Sequence, residues 1–272
     1  MIKIITDSSS YFEKAAAEAL GVRVIPLRYT VGGQFYYETY SDRNGEFEKL
    51  FSGSQKKTTD APGISTFISA IEEEKSRGNE VLCITLSSRL SGAYAAAYTA
   101  VKQVSWQGAE VFDSMMTAGG LYLLVKEAVA MAKTGATLSE IVTALPDIRD
   151  RIKIAFSVGD MTPLRNSGRL GAVRMRVATI LNIRPLLLCE EGAVCYGGTA
   201  RGSGEIVRAM LEQIPPTARE IIINYIENSR LAELLYSAVK EAFSDIPTRL
   251  QRMGPVLGIH LGMDTVAVCS IK

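Results

Sequence analysis

The stretch that most constrains this chain runs from Glu80 to Val104. Glu80 to Leu86 is apolar and partly β-branched, the pattern of a buried strand. Ala93 to Val104 is alanine-rich and reads as a helix. Between them lies a hydroxyl-rich turn holding Ser87, Ser88, Ser91 and Gly92. A strand that enters a helix through small hydroxyl residues presents free backbone N–H groups and the positive end of the helix dipole. That end suits an anion such as a carboxylate or a phosphate. The same residues also serve as ordinary helix caps, so the turn alone leaves both uses open.

A chain of 272 residues can bury a full core and has room for two domains. Thirty basic side chains face 29 acidic ones, so nothing favours nucleic acid or an anionic membrane surface as a partner. The four cysteines, Cys83, Cys189, Cys195 and Cys269, form no C-x-x-C pair and sit in apolar, strand-like runs. They read as buried reduced thiols, which fits a cytoplasmic protein. A single histidine, His260, argues against a zinc site. The chain opens directly on a strand, with no signal-peptide pattern. Its apolar runs stop well short of membrane-spanning length, so no stable membrane insertion is expected.

In chain order, strands are expected at Ile2–Ile5, Val22–Tyr29 (broken or at an edge because of Pro26), Gln34–Tyr37, Glu80–Leu86 and Glu110–Phe112. Helices are expected at Tyr11–Leu20, Asp42–Phe51, Ile64–Arg77, Ala93–Val104 and Ala118–Lys133. A further helix runs from the capping box Thr137–Glu140 to about Arg151. Gln55 to Pro62 reads as a polar loop. Strands alternating with helices imply right-handed crossovers and a parallel sheet. Ligands of such sheets sit beyond the carboxyl ends of the strands. Three strands end in polar clusters, Thr6-Asp7-Ser8, Ser87-Ser88 and Asp113-Ser114, which should line one edge. No G-x-G-x-x-G follows a strand, no P-loop occurs, and Ser91 lacks the G-x-S-x-G elbow.

From Lys153 the pattern changes. Strands are expected at Ile154–Val158, Arg184–Cys189 and Val194–Tyr196, the last two flanking the hairpin signal Glu190-Glu191-Gly192. Asp160 to Leu170 reads as a polar stretch and Arg174 to Leu181 as a helix. Helices at Gly204–Gln213 and Arg230–Phe243 alternate with strands at Glu220–Tyr225, Arg249–Met253, Leu257–His260 and Thr265–Ser270. The fold class is therefore α/β. A Rossmann-like parallel-sheet domain spans residues 1–157, and an α+β domain with a mainly antiparallel sheet spans 158–272.

These segments together resemble the DegV family. Thr6-Asp7-Ser8 resembles its opening T-D-S, and Leu90-Ser91-Gly92-Ala93-Tyr94 resembles L-S-G-T-Y. Asp113-Ser114 resembles a D-S pair. Leu164 to Leu170 is similar to L-x-x-G-G-R-I, with Ser167 in place of the first glycine. Asn182-Ile183-Arg184-Pro185 is similar to N-I-K-P, Arg201 to the arginine after the hairpin, and Gly258-Ile259-His260-Leu261-Gly262 to G-x-H-x-G. The family includes the fatty-acid-binding subunits of bacterial fatty acid kinase. The resemblance implies a long-chain fatty acid, palmitate- or oleate-like, between the two domains, and neither a cofactor nor a metal. It places the carboxylate on Thr59, Ser91 and Gly92, with His260 nearby. Arg169 and Asp60 then stand where they could meet the head group or a kinase catalytic subunit. The chain departs from the family at Asp60, Ala61, Gly63 and Ser167, at Met263-Asp264, and at Tyr11, where Asp is usual.

Burial of some fourteen methylenes at about 0.8 kcal/mol each gives a gross transfer term of about 11 kcal/mol. The tail should then set affinity and the head group orientation. Met115, Met116, Leu121 and Leu124 are candidates for lining a dry slot, core packing being the other use of each. A carboxylate near His260 should raise its pKa. Two other functions use the same residues. One is a serine hydrolase with Ser91 as nucleophile, His260 as base and Asp7 or Asp113 as orienter. The other is a lipid sensor without a kinase partner.

Overall fold

The structure, a computed structural model, describes residues 1–170, 183–227 and 229–272. The helix expected at Arg174–Leu181, and Asn182 of the N-I-R-P segment, lie outside the described residues. Four parallel strands form the first sheet: β1 (Ile2–Asp7), β2 (Arg23–Ile25), β6 (Glu80–Thr85) and β7 (Ala109–Asp113), in the order β2-β1-β6-β7. The chain between β2 and β6 builds a small antiparallel sheet of β3 (Leu27–Val31), β4 (Gln34–Glu38) and β5 (Lys57–Asp60), with β3 central. Pro26 separates β2 from β3, so the expected strand at Val22–Tyr29 is broken there.

Helices α1 (Lys14–Leu20), α2 (Phe47–Phe51), α3 (Ile64–Ser76) and α4 (Ala93–Val104) come from this half, followed by α5 (Ala118–Lys133) and α6 (Leu138–Asp150). A second sheet of six strands has the order β10-β9-β8-β13-β11-β12. Its members are β8 (Ile152–Val158), β9 (Ile183–Glu190), β10 (Ala193–Arg201), β11 (Glu220–Tyr225), β12 (Thr248–Arg252) and β13 (Thr265–Ile271). Every neighbouring pair in it is antiparallel except β11 with β12. The remaining helices are α7 (Thr162–Asn166), α8 (Gly202–Leu211), α9 (Ser229–Ala242) and α10 (Pro255–Leu261).

Three local expectations are corrected. Leu257–His260 is not a strand but part of α10. Pro255 at its first turn and Gly262 at its end, with φ +83°, are the start and stop signals of a helix. Lys57–Asp60 is not loop, because its backbone pairs with β3, Thr59 opposite Tyr29 and Asp60 opposite Arg28. The stretch expected as helix from Asp42 to Phe51 is a 3-10 turn at Ser41–Arg43 followed by the short α2. Of the cysteines, Cys83 and Cys269 are buried, but Cys189 and Cys195 are only half-buried.

Helix α5 joins the two large sheets, touching β1 on one side and β8, β11 and β13 on the other. Leu121, Leu124 and Met116 lie in the resulting core. Close approach depends on Gly119 and Gly120. A Cβ on Gly119 would fall 2.6 Å from Asn224 Oδ1 and 3.0 Å from Cys269 Cβ; one on Gly120 would fall 2.4 Å from Ile154 Cδ1. The Gly119 N–H donates to Asn224 Oδ1 at 3.0 Å. Asn224 Nδ2 donates to Gln251 Oε1 at 2.7 Å, and Gln251 Nε2 to the Tyr11 carbonyl at 2.8 Å. This buried chain fastens β11 and β12 to the first half of the molecule. Gly119→Val should therefore destabilise the protein by about 1–3 kcal/mol through overpacking. Urea unfolding at fixed pH would show a lower midpoint with an unchanged slope, whereas an unchanged midpoint would contradict this packing.

Candidate functional site

The carboxyl ends of β1, β6 and β7 are tied into one edge. The Leu86 N–H donates to Asp7 Oδ2 at 2.7 Å, the Ser114 N–H to the Thr85 carbonyl at 3.2 Å, and the Ser88 N–H to Asp113 Oδ1 at 3.1 Å. The three polar clusters thus stand side by side, as parallel strands require. Beside this edge is a cavity of about 130 Å³. Thr59, Asp60, Ser91, Gly92, Arg169 and His260 all line it. Thr59 comes from β5, Ser91 from the turn before α4, and His260 from α10. The rest of the wall is mainly apolar, including Leu27, Phe156, Leu164, Val256 and Ala267.

Thr59 Oγ1 and His260 Nε2 share a hydrogen bond of 2.7 Å across the cavity. Ser91 Oγ accepts from the Ala93 N–H at 3.3 Å and donates to no protein acceptor among the described residues. It therefore receives the first N–H of α4, whose N-cap is Gly92, while its own proton stays available. Arg169 donates through Nε to the Leu90 carbonyl at 3.3 Å and through Nη1 to the Ser167 carbonyl. No carboxylate pairs with it among the described residues. Asp60, also on the wall, is paired with Arg28 at 3.1 Å. The wall is thus locally cationic and rich in donors, with its one acid neutralised, and favours a carboxylate over a cation.

Burial lowers the His260 pKa to about 4, with the Arg169 charge adding to the effect. The imidazole is neutral at pH 7 and acts as a hydrogen-bond partner, not a cation. Helix α10 is held by Glu38, a buried carboxylate that accepts from the Val256 N–H at 2.9 Å and from Ser8 Oγ at 3.0 Å. Burial raises the Glu38 pKa to about 7, and Asp7 beside it to about 6. Sequence reasoning missed Glu38. Its only signal was an acidic residue closing an aromatic strand.

Among the described residues no hydrogen bond joins Ser91 to His260, or His260 to Asp7 or Asp113. The hydroxyl against His260 is that of Thr59, and Asp7 and Asp113 give their carboxylates to backbone N–H groups. Met115, Met116, Leu121 and Leu124 do not line this cavity. Leu121 and Leu124 belong to the buried face of α5 and lie in the core. Arg184, where N-I-K-P has lysine, grips the departing residue Asp264 through both terminal guanidinium nitrogens, at 2.7 and 3.1 Å.

Known proteins resemble the chain over its whole length. The DegV family model matches residues 1–272. A DegV domain-containing protein of Halalkalibacterium halodurans is 31% identical over 276 residues, covering 98% of this chain and 97% of its own. A DegV lipid-binding protein from Thermotoga maritima superposes with a TM-score of 0.90 at 24% identity, covering 99% of this chain and 98% of that one. A DegV family protein from Thermus thermophilus, whose structure shows fatty acid binding, gives 0.87 at 24% identity, covering 100% and 99%. A stearic-acid-binding protein from Eubacterium ventriosum gives 0.86 at 19% identity, covering 100% and 98%.

The neutral histidine is directly measurable, because the chain has no other. A base whose folded pKa is depressed stabilises the fold above its unfolded pKa of about 6.5, and that contribution is lost as pH falls through about 4. Proton NMR of the ligand-free protein should show the His260 ring titrating near pH 4. A midpoint near 6.5 would contradict the burial described above.

Proposed function

Because the chain belongs to the DegV family, we propose that it binds a long-chain fatty acid, palmitate- or oleate-like, with its carboxylate at Thr59, Ser91, Gly92 and His260. One observation carries this reading. A single cavity gathers polar groups suited to a carboxylate from three separated segments and surrounds the remainder with apolar side chains. Ser91 Oγ supplies a donor, the Gly92 end of α4 adds dipole, and Thr59 is oriented by the neutral His260. Arg169 supplies a cation that lies beside the head group, with no carboxylate partner among the described residues.

On this reading the chain works as two domains, residues 1–157 and 158–272, with the lipid between them. It carries no cofactor and no catalytic machinery. It presents the carboxylate to a separate fatty acid kinase catalytic subunit in the cytoplasm, with Arg169 and Asp60 at the mouth as contacts. No helix among the described residues is long and apolar enough to cross a membrane.

The test is mass spectrometry of solvent extracts from denatured, purified protein. A long-chain fatty acid near one per chain is expected, and the intact protein should resist labelling by a fluorophosphonate. Extracts free of fatty acid, with no uptake of added palmitate or oleate, would overturn the proposal. Stoichiometric labelling of Ser91 would assign the site to hydrolysis instead.

A further inference from the structure

A second opening, a cleft of about 1460 Å³, lies behind the cavity, and the two share three wall residues, Ile154, Cys189 and Val194. Strand register shows how these three stand. Cys269 pairs with Ile154 across β13 and β8. Ala155 pairs with Leu188 and Phe156 with Leu187, which carries Ile154 to the level of Cys189. Cys189 pairs with Val194 across β9 and β10. The shared residues are therefore one transverse row over three adjacent strands, and they face the same side of the sheet.

The head-group end of the cavity is fixed to the same sheet. Thr265 Oγ1 donates to the Gly262 carbonyl at 2.8 Å, at the end of the helix that bears His260. Along β13 the cavity wall runs through Thr265 and Ala267 towards the level of Cys269. Four residues at roughly 3.3 Å each make this distance about 13 Å. An extended alkyl chain with C–C bonds of about 1.5 Å advances roughly 1.3 Å per carbon, so about ten carbons cover it. Volume points the same way with a smaller figure, about the six carbons of a benzene. A cavity near 130 Å³ is comparable to the engineered cavity of about 150 Å³ that takes one benzene. An acid of sixteen or eighteen carbons has further to go.

We propose that the cavity is a passage, and that the terminal carbons of a long-chain fatty acid leave it between Ile154, Cys189 and Val194 to lie in the outer cleft. This rests on the fatty-acid reading above and specifies where that ligand ends. The cleft offers suitable apolar surface, with Met115, Met116, Ile152, Ile214 and Pro215 on its wall. The two methionines suit a chain of variable length and unsaturation, because their flexible thioethers adapt to irregular shapes. Charged residues, Arg89, Arg149, Lys153 and Glu190 among them, also line the cleft, so the tail end is only partly shielded from water. The wall is anchored: Ser87 Oγ donates to the Gly192 carbonyl at 2.7 Å, and Arg89 Nη1 to the Glu191 carbonyl at 3.0 Å. These bonds pin the β9–β10 hairpin tip beside the turn that carries Ser91. The row therefore sets chain-length preference: bulk there should reject long acids and spare short ones.

The experiment uses the full chain, stripped of lipid, and a palmitic acid analogue bearing a diazirine next to its methyl end. After illumination, label that excess palmitate suppresses should map to peptides containing Met115–Met116, Glu190–Val194 or Ile214–Pro216. Suppressible label confined to Phe156 and Leu257–Leu261 would overturn the passage while leaving fatty acid binding intact. No saturable uptake of the analogue or of palmitate would overturn the fatty-acid reading itself, and the passage with it. A second arm measures affinities for C12 and C18 acids in Val194→Phe, or in Cys189→Leu if the first variant does not fold. The C18 to C12 affinity ratio should fall at least tenfold. An equal loss for both lengths, or no change in either, would overturn the role of the row.

Discussion

The site depends on one hydrogen bond, between Thr59 and His260, made by residues 201 positions apart. Neither partner is placed by its own segment. Thr59 sits on an edge strand of four residues, held by its register with β3 and by the Asp60–Arg28 ion pair. His260 sits near the end of a seven-residue helix, too short to be stable by itself. The bond exists because each short element is clamped elsewhere, and the cavity is what remains between them.

For α10 the clamp is Glu38. Its carboxylate takes the Val256 N–H, one of the donors that a helix start leaves unpaired. It also takes the Ser8 hydroxyl, which in turn accepts from the Leu27 N–H at 3.2 Å. One buried acid thus joins the end of β1, the start of β3, the end of β4 and the histidine helix. The close fit at Gly254, where a Cβ would lie 2.3 Å from Glu38 Oε2, leaves room for no larger residue. The buried chain from Gly119 through Asn224 and Gln251 to Tyr11 does the same for the six-stranded sheet. The two halves are therefore fixed by a few fully buried polar links, which fix geometry more than they add net stability.

Much of this was legible in the sequence because it follows from local pattern. Alternation of strands and helices gives the parallel sheet, and polar strand ends give its functional edge. Of the six cavity residues, Ser91 and Gly92 stood out in the strand–turn–helix pattern, whereas Thr59, Asp60, Arg169 and His260 were named from motif resemblance, since no periodicity brings residue 59 near residue 260. What the sequence concealed has physical reasons. Lys57–Asp60 is polar and looks like loop because an edge strand keeps one side in water. Leu257–His260 is apolar enough for a strand, yet Pro255 and Gly262 mark it as helix. Glu38 was unreadable because a buried acid looks like a surface one until its partners are known. Met115 and Met116 were candidates for the slot or for core packing, and they line the outer cleft.

The central claim is that Thr59 and His260 act on the ligand as one unit. A double-mutant cycle measures this directly. Palmitate affinity would be determined calorimetrically at pH 7 for the parent, Thr59→Val, His260→Gln and the double variant. Groups that share a hydrogen bond and a ligand couple, so the double variant should lose less than the sum of the single losses, by about 1 kcal/mol. Losses that add to within about 0.3 kcal/mol would mean that the two residues meet the ligand independently, and would contradict the account.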